Sequence, residues 1–315
     1  MNRNYMEDGE KSLQEKGIPS KYSATPGNSV RITRDYLDSL LIEMRVIDSN
    51  IASTKVKLFG NSFQTPVMTA ALSGLDKICP KGMAEVAKGA AAAGAVMWAG
   101  IGTEQELREI IETGAKTIKI IKPYADQDLV FEKLKQAEKY GAFAVGMDID
   151  FVFGSKTQKG HAQSYPVSPK TLSDLEKYVR STKLPFILKG VLSEQDAAKA
   201  LEAGASGIVI SHHGGSVLDY AVPPLMILPR IARVIGGKIP IFVDCGITKG
   251  ADVFKSLALG AQGVSVGRAI MAGLAAGGSE GVRRVIEGLT EELRSVMSVT
   301  GSADCSSIDP NVIWR

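Results

Sequence analysis

The chain has 315 residues, 44% hydrophobic and 23% charged, and 37 basic against 34 acidic side chains give a formal net charge of +3. Such an interleaved balance excludes the basic footprint of a nucleic-acid binder and describes an ordinary globular protein. The three cysteines, Cys79, Cys245 and Cys305, are too scattered for a disulfide framework or a metal-binding pair, which points to a reducing compartment.

Residues 1–60 are mixed in character. They are expected to form a short N-terminal extension packed on the rest of the chain, with a helix near Arg34–Glu43. The first twenty residues lack the apolar core of a signal peptide, and no apolar run reaches the ~20 residues that cross a bilayer, so a cytoplasmic protein with no membrane partner is expected. From Pro66 the pattern is regular. Short apolar runs fall at Pro66–Ala71, Ala95–Ala99, Thr117–Ile121, Ala144–Met147, Pro185–Leu188, Gly207–Ile210, Pro240–Val243 and Gly263–Val266. Between them lie amphipathic stretches such as Gly82–Ala93, Glu104–Thr113, Asp128–Tyr140, Ser193–Ala203 and Gly250–Leu259, several followed by a glycine suited to a helix C-cap: Gly94, Gly114, Gly141, Gly204 and Gly260. Alternation without an antiparallel hairpin signal predicts an α/β fold, a (β/α)8 TIM barrel over residues 61–315. An open doubly wound sheet is the alternative, and the number of units fits closure better. Two connections are long: 151–169, polar and without periodicity, and 211–224. Both follow strands, on the face where parallel barrels carry their chemistry.

The candidate residues sit at those strand ends. Asp148 and Asp150 close the fourth run, and their spacing in an extended chain puts both on one face. Lys189 ends the fifth run, where a cation atop an apolar strand calls for an anionic neighbour. The sixth run ends in Ser211-His212-His213-Gly214-Gly215, and an imidazole there can exchange a proton near neutrality. Adjacent histidines point apart if the strand persists, which argues against a dinuclear metal hydrolase, and no metal is expected. Near the end, Gly246 and Gly267-Arg268 follow two consecutive runs, with Lys249 close by. Glycine-lined loops opening helices after strands seven and eight are a recurrent phosphate site. Cys245, beside that site, could carry an acidified thiol, although a small residue filling a turn is the simpler reading.

These motifs together resemble a family. Leu188-Lys-Gly190, Ser211-His-His-Gly-Gly215 with Leu218-Asp219, Asp244-x-Gly-Ile-x-Lys-Gly-x-Asp-Val-Phe-Lys255, Leu257-Ala-Leu-Gly-Ala261 and Val266-Gly-Arg268 are similar to the FMN-dependent α-hydroxy-acid oxidases and dehydrogenases of the glycolate oxidase and lactate dehydrogenase type, from about Lys57 to the C-terminus. Ile121-Lys-Pro-Tyr124 with Gly146-Met-Asp-Ile-Asp150 looks like a bacterial branch of α-hydroxy-acid oxidising proteins. The resemblance implies FMN as cofactor, a small-molecule substrate, an electron acceptor it does not specify, and a homo-oligomer, by family habit a tetramer. It implies His213 as the base that takes the substrate hydroxyl proton and Asp150 as its orienting carboxylate. Lys189 is implied beside the flavin pyrimidine, where its charge stabilises the reduced form. Ser211 and Ala71 are implied against the isoalloxazine, Asp244 on the ribityl chain, and Gly246, Gly267 and Arg268 on the phosphate. Lys119 and Asp148 align with a Gln and a Thr that touch the pyrimidine.

The chain also departs from that pattern. Ser216 stands where the family has an arginine that clamps the substrate carboxylate, so either Lys119 or Lys122 substitutes or the substrate is not an ordinary 2-hydroxy acid. The alternative that follows is an FMN-dependent reductase or isomerase on a non-carboxylate substrate. His212 replaces an asparagine, Cys245 a glycine and Thr248 a basic residue. The nearest counterpart of the family's N-terminal substrate tyrosine is Tyr22.

Overall fold

The structure, a computed structural model, describes residues 3–18, 27–154, 160–162 and 164–314. Its centre is an eight-stranded parallel sheet. In chain order the strands are β1 (Val67–Thr69), β2 (Met97–Ala99), β3 (Thr117–Ile121), β4 (Ala144–Asp148), β5 (Phe186–Val191), β6 (Gly207–Ile210), β7 (Ile241–Val243) and β8 (Gly263–Val266). Neighbours in sequence are neighbours in space, and β8 returns to pair with β1, Val264 opposite Val67. The remaining seam, between β1 and β2, is closed by side chain and backbone together. Thr69 Oγ1 accepts the Trp98 N–H at 2.8 Å, and Leu72 bridges Ala99. The result is the expected barrel.

The alternation of a strand, one face in and one out, fixes what each strand contributes. Met68, Val96, Trp98, Ile118, Ile120, Ala144, Ile187, Val209 and Phe242 fill the interior as one cluster, with Trp98 and Phe242 edge to face at 5.3 Å. Both rings are essentially inaccessible, and full burial of side chains this large contributes roughly 1.5–3 kcal/mol each. Ile121, Leu188, Ile210 and Val243 face outward to a second core shared with the helices.

Those helices are α3 (Gly82–Ala92), α4 (Glu104–Glu112), α5 (Gln127–Tyr140), α6 (Leu172–Arg180), α7 (Glu194–Glu202), α8 (Pro224–Ile235), α9 (Gly250–Ala258) and α10 (Arg268–Val299), the last interrupted at Gly277 and Gly278; two N-terminal helices, α1 (Arg3–Glu15) and α2 (Ser29–Ser39), precede them. Capping follows composition: Thr103, Asp126 and Ser193 accept backbone N–H groups of the first turns of α4, α5 and α7, and Thr171 forms a capping box with Asp174 on α6. All five glycines expected at helix ends have positive φ. No described helix is long and apolar enough to cross a membrane.

Three expectations are corrected. An antiparallel hairpin, Val56–Leu58 with Asn61–Phe63, lies at the barrel's N-terminal end, and its Leu58 and Phe63 join the interior cluster. Its strands are too short to announce themselves in sequence. The 151–169 connection likewise holds a small hairpin, His161–Ala162 with Tyr165–Pro166. The helix expected at Arg34–Glu43 runs instead from Ser29 to Ser39, because Asp219 accepts the N–H groups of Asn28 (2.5 Å) and Ser29 (3.1 Å) at its start, and Leu41–Ile42 leave it to pair with Ile313–Trp314.

Candidate active site

Two residues beyond the inward-facing positions of β3 to β7, the same alternation places a polar layer at the barrel mouth. Ile120 is followed by Lys122, Gly146 by Asp148, Ile187 by Lys189, Val209 by Ser211 and Phe242 by Asp244. Lys119, one position before Ile120 on β3, faces the other way. Its ammonium is buried between barrel and helices, donates to the Gly100 carbonyl and senses Glu106 of α4, and burial pushes its pKa down to about 8. Strand parity therefore separates Lys119 from the other candidates.

Within the layer, the buried Asp148 carboxylate is held between two ammonium groups, Lys122 Nζ at 2.6 Å on Oδ2 and Lys189 Nζ at 2.8 Å on Oδ1. Asp244 stands 3.9 Å from Lys189 on its other side. Burial alone would raise the Asp148 pKa, but Lys122 and Lys189 outweigh it and hold the carboxyl far below its usual range. Burial likewise opposes charge on Lys189, and Asp148 and Asp244 reverse that, keeping it firmly protonated. Lys122 also lies over the face of Phe151, 4.0 Å from the ring centroid.

Asp150 reaches the layer by a different route from the one its spacing suggests. β4 stops at Asp148, and a single turn of 3-10 helix, Ile149–Phe151, swings Asp150 round to the histidine turn. There its two oxygens lie 3.1 and 3.2 Å from His213 Nδ1, while the Phe151 ring packs at 5.4 Å from the imidazole. Gly190 makes room for this. It takes φ +94° at a break in the β5–β6 register, and a Cβ there would sit 2.4 Å from Asp150 Cγ. His213 has φ +54°, a left-handed conformation costly for a residue with a Cβ and common where function fixes a side chain. Its N–H donates to Ser211 Oγ at 3.0 Å, and Ser216 Oγ donates back to the His213 carbonyl at 2.7 Å. Asp148, Asp150 and His213 bring ligand-type atoms within 4.8 Å of one another. A divalent ion there would have to displace the two ammonium groups from Asp148.

The β7 and β8 loops complete the mouth. Gly246 (φ +77°) lies beneath α2, where a Cβ would meet Thr33 at 2.9 Å and Leu37 at 3.0 Å. The Arg268 guanidinium approaches the histidine turn: a Cβ on Gly214 would be 3.7 Å from its Nη2. Gly267 precedes it, and Ala71 packs at the top of the interior cluster. The Lys249 side chain is exposed and close enough to Asp38 of α2 to lower its pKa, so it faces outward. Cys245 occupies a left-handed position, φ +74°, its thiol donating to Asp244 Oδ1 at 2.8 Å and accepting the Gly214 N–H at 3.3 Å. Burial, with Asp244 adding to it, raises the thiol pKa well above normal, which speaks against the acidified alternative and for the simpler reading of a small residue filling a turn.

Sequence reasoning missed α2 as a wall of this site. Its buried face, Ser29, Thr33 and Leu37, has helical spacing but few apolar residues, so periodicity was faint. Arg34 ties α2 to the β7 loop, with Nη1 at 2.9 Å from both the Gly246 carbonyl and Asp252 Oδ2. His212 ties it to the histidine turn. Its Nδ1 accepts the Gly215 N–H at 3.0 Å, so in the neutral ring Nε2 carries the proton and donates to Thr33 Oγ1 at 2.7 Å. Burial lowers the His212 pKa. The unfolded chain, with a pKa of ~6.5, then takes up a proton before the folded one, and stability falls as pH drops below that value. Replacing His212 with Asn removes this term, so thermal denaturation between pH 7 and pH 5 should show a smaller loss of Tm in His212→Asn than in the wild type. Equal losses would assign the acid sensitivity elsewhere. Tyr22 lies outside the described residues, as do the side-chain details of His161.

A surface cleft of about 500 Å3 lined by Lys55, Gln64, Glu287 and Arg294 lies at the opposite end, beside the N-terminal ends of the strands. It gathers none of these residues.

Comparisons with known proteins give the family and support the fold. Residues 21–172 and 155–315 match the profile of the FMN-dependent dehydrogenase family. The chain is 32% identical over 297 residues to the peroxisomal (S)-2-hydroxyacid oxidase GLO3 of Arabidopsis thaliana, covering 84% of this chain and 81% of the relative. To an L-lactate oxidase of Lentilactobacillus hilgardii it is 30% identical over 286 residues, covering 81% and 77%. A crystal structure of mandelate oxidase with (S)-2-phenylpropionate superposes with a TM-score of 0.87 at 28% identity, covering 98% of this chain and 97% of that one. With profile matches running from residue 21 to the C-terminus, the chain belongs to the FMN-dependent dehydrogenase family, as an FMN-using enzyme of the α-hydroxy-acid oxidase type.

Proposed function

We propose that this enzyme oxidises a 2-hydroxy acid to the 2-oxo acid with His213 as the base. The observation that carries the reading is the Asp150–His213 contact, both carboxylate oxygens within 3.2 Å of Nδ1, at a mouth that also holds Lys189. A carboxylate on Nδ1 keeps the proton there, leaving Nε2 as the basic nitrogen for the substrate hydroxyl. Once His213 is protonated, Asp150 stabilises the imidazolium. FMN, when bound, supplies the acceptor for the two electrons and the α-hydrogen.

The residues fit that cofactor by the chemistry of their groups. Gly246, Gly267 and Arg268 would hold the phosphate, Asp244 the ribityl hydroxyls, and Ser211, Ala71 and Lys189 the ring system. Lys122 would face the substrate carboxylate. One of its N–H bonds is engaged by Asp148, and Phe151 desolvates it, so a remaining N–H can meet an anion at little further cost.

The visible spectrum of the purified protein and its anaerobic bleaching test the reading. A yellow chromophore, or uptake of added FMN, followed by bleaching with members of a 2-hydroxy-acid panel is the expected result. A second reading, a reductase or isomerase on a non-carboxylate substrate, is favoured by one observation: the Ser216 hydroxyl is spent on the His213 carbonyl. Bleaching by NAD(P)H, with none by the panel, would replace the first reading with the second.

A further inference from the structure

Lys189 does not stand alone at the mouth. Along the buried line Lys122–Asp148–Lys189–Asp244, successive groups are 2.6, 2.8 and 3.9 Å apart. Register fixes it, because Asp148 pairs with Lys189 across β4 and β5. Asp148 is 2% exposed, and Lys122 and Lys189 are nearly as buried, so charges here interact through protein more than through water. If Lys189 presents positive charge to the flavin, a bare Asp148 carboxylate touching it would cancel much of that charge. Lys122 sits on the opposite oxygen and supplies the compensating cation.

We infer that Asp148 and Lys122 form a buried counter-charge pair that sets the positive charge Lys189 presents to bound FMN, and thereby the reduction potential of the cofactor. The inference rests on the FMN reading above. Both residues are positioning groups in this role, acting through Lys189. The local charges of Lys122, Asp148 and Lys189 sum to plus one. Asp148→Asn raises that sum, Lys122→Met lowers it to zero, and the double variant restores it.

The test is a double-mutant cycle at pH 7 on FMN-loaded protein, reading the anaerobic midpoint potential and the affinity for sulfite, an anionic probe whose binding bleaches the flavin spectrum. Asp148→Asn should bind sulfite about tenfold more tightly, with a two-electron potential higher by about 30 mV for the same factor. Lys122→Met should move both quantities as far the other way, and Lys122→Met/Asp148→Asn should fall within about threefold of the wild type. A carboxylate stripped of its cation can cost folding. Should Lys122→Met not fold, Asp148→Asn and the double variant decide: the first must shift and the second must return. Wild-type potential and sulfite affinity in every FMN-loaded variant would overturn the inference and leave the proposed function standing. Failure of the wild type to take up FMN would overturn both.

Discussion

Replacing His213 with Asn is expected to lower kcat for 2-hydroxy-acid oxidation by about three orders of magnitude, within the range a positioned general base contributes. The flavin spectrum and FMN dissociation constant should remain close to wild type. Asn is the informative substitution because His213 has φ +54°, a conformation Asn tolerates better than most residues. Its backbone N–H can still donate to Ser211 Oγ, and its carbonyl can still accept from Ser216, so the histidine turn keeps its frame. What disappears is the nitrogen that accepts the substrate proton, together with the ring that packs on Phe151. A fall in kcat of less than tenfold, with FMN bound, would remove His213 from the role of base. A loss of FMN with the activity would make it a structural residue of the cofactor pocket instead.

The barrel was legible because its signal is repeated. Eight apolar runs separated by amphipathic stretches leave few alternatives, and each strand's parity then determines which side chains reach the mouth. Lys189 was therefore readable from its strand end, whereas Ser211 and Asp244, at the same level of the next two strands, were named only through the family resemblance. Lys119 was misjudged for the same physical reason in reverse, since a shift of one residue along a strand exchanges mouth for outer layer. Asp150 was found through the wrong geometry. Its spacing from Asp148 suggested an extended chain, whereas a 3-10 turn carries it to His213, and only Gly190, vacant where Asp150 needs space, hints at this in sequence. Long-range polar contacts left no local trace. Thr33 meets His212 across 179 positions, and Arg34 meets Asp252 across 218. Neither follows from periodicity, yet they make α2 part of the site and turn His212 from an anomaly into a neutral, doubly engaged strut. Lys122 shows the converse: it was named as a substitute cation, but its partner Asp148 was visible only once β3 and β4 were side by side.

Ser216→Arg carries the other large effect. Ser216 follows the histidine turn directly, half-buried, and its hydroxyl donates to the His213 carbonyl. A guanidinium in its place would offer a planar fork to a carboxylate bound beside His213. Charge-assisted hydrogen bonds of that kind contribute roughly 1.5–3 kcal/mol, about tenfold or more in affinity. Lys122, by contrast, is a point charge already shared with Asp148 and Phe151, so on its own it grips a carboxylate weakly. The KM of Ser216→Arg for small 2-hydroxy acids should accordingly fall about tenfold with kcat little changed, the pattern of an interaction made equally with substrate and transition state. Ser216→Ala separates this gain from damage to the turn: it removes the hydrogen bond to the His213 carbonyl without adding charge, and its KM should stay near wild type. An unchanged or raised KM in Ser216→Arg, with Ser216→Ala active, would mean that the carboxylate is held elsewhere or that the substrate has none. A substrate without a carboxylate would favour the second reading, a reductase or isomerase, and the absence of bleaching by the 2-hydroxy-acid panel would distinguish that case from a carboxylate held elsewhere.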